Sequence, residues 1–363
     1  MAAPGRRWIF QLHLWSALTV GVVLLVVALT GAMLVFRPEL DPVFNQDLFA
    51  VAPGGAPQPL DELVATAQRA HPETKVDFVR LPGAADRSVQ VAFSDKQTLF
   101  VNPYTLAVLG QRGRYEGFFG RCEQWHRLLL LGAPGKFIVR ACAILTVIVL
   151  LTGFYLWLPP VWRVLKSGLT LNFKLRGRAW NFNLHKVAGI YGGGVVLVSA
   201  LTGLPQSFDW LEHGVYEGWG AAAPPPVLHS TPPAGAAAPG FAPLQLYLAQ
   251  VQRLLPEARE TMIYAPRKPD AAVEVFATGR GAPHANARSY LYLDAYSGAV
   301  LRFIPYQEGS RGYRFYFTAV SLHFGQIGGL AGRLVLLGGV LVVPVLAMTG
   351  LAMFLVRRRR PPA

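Results

Sequence analysis

The sequence predicts an α-helical membrane protein, internally duplicated, with four main transmembrane helices and two α+β modules outside the bilayer. Composition is the first reason. Of the 363 residues 52% are hydrophobic, and the mean hydropathy is +0.34, too apolar for a soluble chain of this charge content. Run length is the second. Residues 14–36, 137–158, 187–205 and 334–356 each come near the ~20 residues that cross a hydrocarbon core of ~30 Å. The third is a repeated motif. His13 stands 17 residues before Thr30-Gly31, and His185 stands 17 before Thr202-Gly203. His126 stands 26 before Thr152-Gly153, and His323 stands 26 before Thr349-Gly350. A short-then-long spacing that occurs twice marks an internal repeat.

The elements follow in order. Residues 1–36 form the first membrane helix. A cleaved signal peptide is the competing reading, but the apolar stretch exceeds a signal core of 7–15 residues and carries one of the repeated motifs. Residues 37–125 form the first outer module. There Pro59-Leu60 opens an amphipathic helix that ends at His71-Pro72-Glu73, and alternating runs at 76–81, 89–93 and 98–101 read as strands. The second membrane helix is 126–158, a basic loop is 159–184, and the third helix is 185–205. The second outer module, 206–322, repeats the first after an Ala/Pro/Gly-rich linker at 221–243. Pro243-Leu244 opens its helix, Leu255-Pro256-Glu257 ends it, and strands follow at 262–265, 273–277 and 290–293. The fourth membrane helix is 323–356, and 357–363 is a basic tail. The offset between the halves grows from 172 at the first histidine to 184, 192 and 197, which small insertions in the second copy explain.

Charge sets the orientation. All 20 acids lie in 37–125 and 206–322, 11 and 9 of them, beside 9 basic residues in each stretch. The other 16 Lys and Arg have no acid among them. Arg6-Arg7, then Arg163, Lys166, Lys174, Arg176 and Arg178, then Arg357–Arg360 mark three segments as cytoplasmic. Both termini are therefore expected inside and both modules outside. The net charge of +14 and pI of 10.1 reflect membrane orientation, not a nucleic-acid partner. The eight Trp fall near helix ends or flanking loops, as in an aromatic belt. Cys122 and Cys142 form no Cys-x-x-Cys motif, which excludes c-type haem attachment and cysteine-held iron–sulfur clusters. Cys142 lies inside a membrane helix, against a disulfide. The short cytoplasmic segments leave no room for a flavin or nicotinamide domain, and no Gly-rich dinucleotide fingerprint is present.

The orientation sorts the histidines. His13 and His185 lie near the cytoplasmic face, and His126 and His323 near the outer face. A pseudo-two-fold axis along the membrane normal brings equivalent residues together, and two neutral imidazoles on opposite sides of one porphyrin make a bis-histidine b-type haem. Two such layers, two haems per chain, form an electron path. Pairing within each half is the alternative. Ala17 and Gly189, one turn after His13 and His185, leave gaps for a flat macrocycle. Glycines recur at Gly132 and Gly329 and at Gly135 and Gly332, followed by Lys136 and Arg333. These cations, and Arg127 beside His126, either pair with haem propionates or snorkel to headgroups. A single interfacial histidine is more often a headgroup contact than a ligand; four at matched positions favour ligation. His71, His213, His229 and His284 have no matched partners. The membrane helices carry no acid, which argues against a cation transporter or proton relay.

The His-led helices with Thr-Gly, and the turns Asn102–Leu109 and Asp294–Leu301 with their Tyr-x-x-Ala-Val-Leu pattern, resemble PepSY-associated transmembrane proteins. Within that family the chain is similar to bacterial inner-membrane ferric-siderophore reductases. The resemblance implies two periplasmic PepSY-like domains, haem ligated by His13, His126, His185 and His323, and electron delivery to siderophore-bound Fe(III), which releases the iron. The first turn departs from the pattern, with Asn102-Pro103 where the second has Asp294, and Leu106 where the second has Gly298.

Near the last helix, Tyr313, Phe315, Tyr316 and Phe317 with Arg311 and Arg314 form a candidate docking face for an anionic chelate; the competing reading is packing at the membrane interface. Two other functions remain. One is an electron-transfer subunit for a different periplasmic acceptor. The other is a haem-free PepSY regulator or scaffold. The electron donor is external in the redox readings, a quinol or a cytoplasmic reductase.

Overall fold

The computed structural model describes residues 4–159, 165–220, 228–233 and 240–358. Trp162, Arg163, much of the 221–243 linker, and Arg359 and Arg360 lie outside the described residues. In chain order the elements are α1 (Pro4–Leu34), α2 (Arg37–Phe44), α3 (Gln46–Phe49), α4 (Leu60–Ala70), β1 (Val76–Pro82), β2 (Val89–Phe93), β3 (Gln97–Val101), β4 (Val108–Gly113), α5 (Gly117–Leu128) and α6 (Ala133–Trp157). There follow α7 (Leu165–Leu169), α8 (Gly177–Ser207), α9 (Asp209–Glu217), α10 (Leu244–Leu254), β5 (Ala258–Tyr264), β6 (Val273–Gly279), β7 (Ser289–Leu293), β8 (Val300–Ile304), α11 (Arg311–His323), α12 (Gly329–Val340) and α13 (Val342–Arg358). The chain forms two compact units, one of residues 1–37, 118–212 and 319–363, the other of 38–117 and 213–318.

The first unit holds four helical spans long and apolar enough to cross a bilayer: Gly5–Leu34, Ala133–Trp157, Gly177–Ser207 and Gly329–Arg357. Their outward residues are large and apolar, such as Val22 at 77% and Phe137 at 73% exposed, which suits lipid as solvent. Inside, α1 packs along α6, and α8 packs along α12 and α13 and against α6. Small residues set these approaches. A Cβ on Gly192 would stand 2.6 Å from Val342, and one on Gly339 would overlap Val195. Ala28, Val196 and Val343 meet in a buried cluster with Leu24, Leu150 and Val340. The fourth span breaks between α12 and α13 because Pro344 lacks an N–H and its ring crowds the carbonyl four residues back, at Val340.

His13 and His185 sit inside α1 and α8, which begin earlier than the apolar runs suggested, at Pro4 and Gly177. His126 and His323 lie on separate short helices, α5 and α11, that turn sharply into α6 and α12. Gly135 and Gly332 make those corners possible. A Cβ on either would overlap a backbone carbonyl, that of Leu128 or of Ile327. These matched glycines therefore serve the chain's turn.

The second unit is one eight-stranded antiparallel sheet, in the order β4-β3-β2-β1-β5-β6-β7-β8. Two separate modules were expected. Instead β1 and β5 pair with each other, which satisfies backbone groups that two isolated four-stranded sheets would leave on an edge. The junction reads the same from either side: Val79 pairs with Ile263, flanked by Phe78 with Tyr264 and Arg80 with Met262. Val79 and Ile263 are 184 apart, as are Pro59 and Pro243. The helices α4 and α10 lie on one face and share a core of Leu60, Leu63, Tyr247 and Val251 with Val79, Val91, Ile263, Val275 and Leu291. Their N-termini cap each other. The Asp61 carboxylate accepts from the N–H groups of Leu244 and Gln245, and Gln245 Oε1 accepts from that of Leu60. In the first half Phe100 packs edge-on against Phe49 of α3, and Arg112 donates two bonds to buried Asp41. The second half carries a tyrosine-rich cluster, Tyr216, Tyr306 and Tyr313 with Ala287.

Candidate functional site

The four matched histidines form two pairs within the membrane unit. The ring centroids of His13 and His185 are 6.5 Å apart, and those of His126 and His323 are 6.3 Å apart. Each pair takes one residue from each half, so pairing within a half is not what the fold produces. The two levels are well separated. His13 precedes Val27, the residue that bonds His126, by 14 positions; His185 precedes Ser199, which bonds His323, by 14. Helical rise puts the levels about 21 Å apart, most of the way across a hydrocarbon core of ~30 Å.

Each ring is held through Nδ1. In His13 it lies 3.0 Å from the Val149 carbonyl, in His126 2.9 Å from that of Val27, and in His323 2.8 Å from that of Ser199. A carbonyl only accepts, so Nδ1 carries the proton in all three. His185 Nδ1 lies 2.9 Å from Thr349 Oγ1, whose own hydroxyl is donated to the Val345 carbonyl. It too must donate. The lone pair of all four rings is therefore on Nε2, the arrangement by which ligating histidines are oriented.

The Thr-Gly pairs explain their own spacing here. Each serves the other histidine of its half. Gly153 and Thr152 receive His13, and Gly31 and Thr30 receive His126. Gly350 and Thr349 receive His185, and Gly203 receives His323. A Cβ at these glycines would stand 2.8 Å (Gly203), 3.0 Å (Gly31), 3.1 Å (Gly153) or 3.5 Å (Gly350) from the ring's Cε1. The repeat exposed these residues, but their roles depend on which helices pack together.

Two imidazoles sharing one metal between their Nε2 atoms have centroids about 6.3 Å apart, given metal–nitrogen bonds of about 2.0–2.1 Å. Both pairs fit that distance. Among the described residues no group of three or more His, Cys, Asp or Glu could hold a metal ion; a metal carried in a macrocycle such as porphyrin would need only one imidazole on either side.

The cations divide. Arg127 is exposed and pairs with Glu123 at 3.1 Å, and Glu123 also pairs with Arg37 at 2.7 Å. Lys136 is exposed in the first turn of α6. Arg333 lies over the ring of Phe36, 5.9 Å from its centroid. Within the suggested docking face, Phe315 is exposed. Tyr313 is 5% exposed and donates its hydroxyl to the Arg288 carbonyl at 2.6 Å. Tyr316 is half-buried beside Tyr216, whereas Arg311 and Arg314 are exposed. The tyrosines pack within the sheet unit. Cys122 and Cys142 are both free and buried.

No curated protein matches the chain. A protein family does, over residues 10–357, a span that takes in all four histidines, all four Thr-Gly pairs and the whole sheet. The chain is a membrane protein and belongs to the family of the PepSY-associated TM region.

Proposed function

We propose that this protein is an inner-membrane b-type haem protein, derived by internal duplication, that passes electrons across the bilayer to ferric siderophore in the periplasm. Both termini are cytoplasmic and the sheet unit is periplasmic in this reading, in keeping with the basic residues of the tails and central loop. The observation that carries it is the pairing of His13 with His185 and of His126 with His323 at 6.5 and 6.3 Å, each ring presenting Nε2.

Bound haem supplies a one-electron Fe(III)/Fe(II) couple. The chain's residues do the rest. The four imidazoles would hold the group through Nε2, and their Nδ1–H bonds to Val149, Val27, Thr349 and Ser199 fix ring orientation and tautomer. Apolar helix interiors, with Ala28, Val196 and Val343 between the levels, exclude water from the path. Each ferric chelate accepts one electron. The Fe(II) product holds hard oxygen donors less tightly, and the iron is released. The electron enters from an external donor, a quinol or a cytoplasmic reductase.

The test is a dithionite-reduced minus oxidised spectrum of purified protein with haem quantified per chain, followed by anaerobic mixing of reduced protein with ferric siderophore. A sharp b-type α-band, close to two haems per chain and reoxidation by the chelate are expected. A colourless protein that stays empty after haem addition sinks the redox reading. Haem without reoxidation moves the function to another periplasmic acceptor.

A further inference from the structure

Past the glycines that meet His126 and His323, two guanidiniums lie over matched phenyl rings. Arg333 of α12 lies over Phe36, 5.9 Å from the ring centroid, and Arg140 of α6 lies over Phe208, 5.2 Å away. The two phenyls are 172 residues apart, the offset of His13 and His185. Phe36 follows Gly31, the glycine against His126, by five positions, and Phe208 follows Gly203, the glycine against His323, by five. Both phenyls lie just past the ends of their helices, Phe36 after Leu34 and Phe208 after Ser207. Lys136, which matches Arg333 in spacing from the preceding histidine, is exposed. Arg140, one turn deeper, stands over the equivalent ring instead.

The Nε atom of Arg140 is buried and makes no hydrogen bond among the described residues. A charged group that far along an apolar helix is costly unless an anion or dipole compensates it. An aromatic face compensates only part, about 0.5–2 kcal/mol. The membrane spans contain no acid to complete the pairing. A planar guanidinium fork is suited to carboxylate.

We infer that Arg140 and Arg333 hold the two propionate carboxylates of the outer tetrapyrrole, each guanidinium positioned by the phenyl beneath it. This assignment rests on the haem reading above. It makes the two layers chemically unequal, because the outer one gains two fixed positive charges at its carboxylate edge.

The test uses full-length holoprotein with Arg140→Gln, Arg333→Gln and both, compared with Arg140→Lys and Arg333→Lys. The readouts are spectroelectrochemical potentials and the rate of haem loss to apomyoglobin, with the outer haem assigned through a His185→Ala variant that lacks the inner one. Losing a nearby cation favours the more positive, oxidised iron. The outer potential should therefore fall in each Gln variant, further in the double variant, and less in the Lys variants. Outer haem should be lost about tenfold faster for each charge-assisted bond removed. The inner potential should not move, and this also shows that the variant has folded. Unchanged potential and haem retention in the double variant would overturn the assignment. So would unchanged haem together with loss of co-purifying anionic lipid, which would give the arginines to headgroup phosphates. A wild-type protein without haem would remove this inference and the functional reading together; haem in the wild type with no effect in the variants would remove this inference alone.

Discussion

The imidazole of His323 lies so close to Gly203 that a Cβ there would stand 2.8 Å from Cε1 and 3.1 Å from Nδ1. The other three histidines meet glycines in the same way at graded distances of 3.0, 3.1 and 3.5 Å from Cε1. Ring placement is thus controlled by hydrogen atoms on a neighbouring helix.

That gradient predicts a graded substitution series. Gly203→Ala should displace His323 and deplete outer haem most. Gly31→Ala and Gly153→Ala should have intermediate effects. Gly350→Ala, where the new methyl meets only ordinary van der Waals contact, should retain both haems. Haem per chain and band sharpness measure this. Equal retention across all four would mean that the glycines do not shape the ring positions.

Thr349 Oγ1 lies 2.9 Å from His185 Nδ1, which also meets the Leu346 carbonyl, whereas Thr152 Oγ1 lies 3.2 Å from His13 Nδ1, farther than the Val149 carbonyl at 3.0 Å. Thr349→Val should weaken inner haem binding about tenfold, in the range for loss of a ligand-orienting partner. Thr152→Val should change it much less. Haem transfer rates of the two variants, measured side by side, decide it.

In the sheet unit, His284 is 7% exposed, and its Nε2 lies 2.9 Å from the Tyr306 hydroxyl. Burial lowers its pKa, so the folded unit favours the neutral ring. The unfolded chain takes up the proton near its ordinary value of about 6.5. The contribution is therefore present above about pH 6.5 and lost as the pH falls through the lower folded value. Thermal unfolding of the sheet signal should soften with acidity in that window, and His284→Gln should remove part of the slope. Parallel profiles for the two proteins would contradict this.

The Tyr313 hydroxyl donates to the Arg288 carbonyl, and its ring is closed in by Tyr290, Tyr306 and Phe317. Tyr313→Phe should cost about 1 kcal/mol of stability and leave the reoxidation rate by ferric chelate unchanged. A raised KM for the chelate, with stability intact, would restore a docking role to this tyrosine.

Much of this arrangement was legible in the residues because repetition writes itself along the chain. Four apolar runs became four spans, and the matched spacings to Thr-Gly grouped His13 with His185 and His126 with His323, which the fold brings together where pairing within each half had stayed open. Repetition could not show what each element touches. Thr152-Gly153 follows His126 in the sequence yet receives His13, because α1 packs along α6 and brings distant turns level. Lys136 matched Arg333 by counting, but the direction in which a side chain leaves its helix put Arg140 over Phe208 instead. The union of two sheets was hidden for a related reason. A strand's outward alternation records which face is buried, and nothing in it records what lies beyond its edge.

The junction at Val79 and Ile263 pairs each strand with its own counterpart, and each imidazole pair draws one ring from either half. A chain of half this length would carry a single histidine at each level and an unpaired strand edge at the same time. Alone it could finish neither. Two copies related by a dyad would finish both at once, so half of this chain should complete its histidine pairs and its sheet only as a homodimer, in one event.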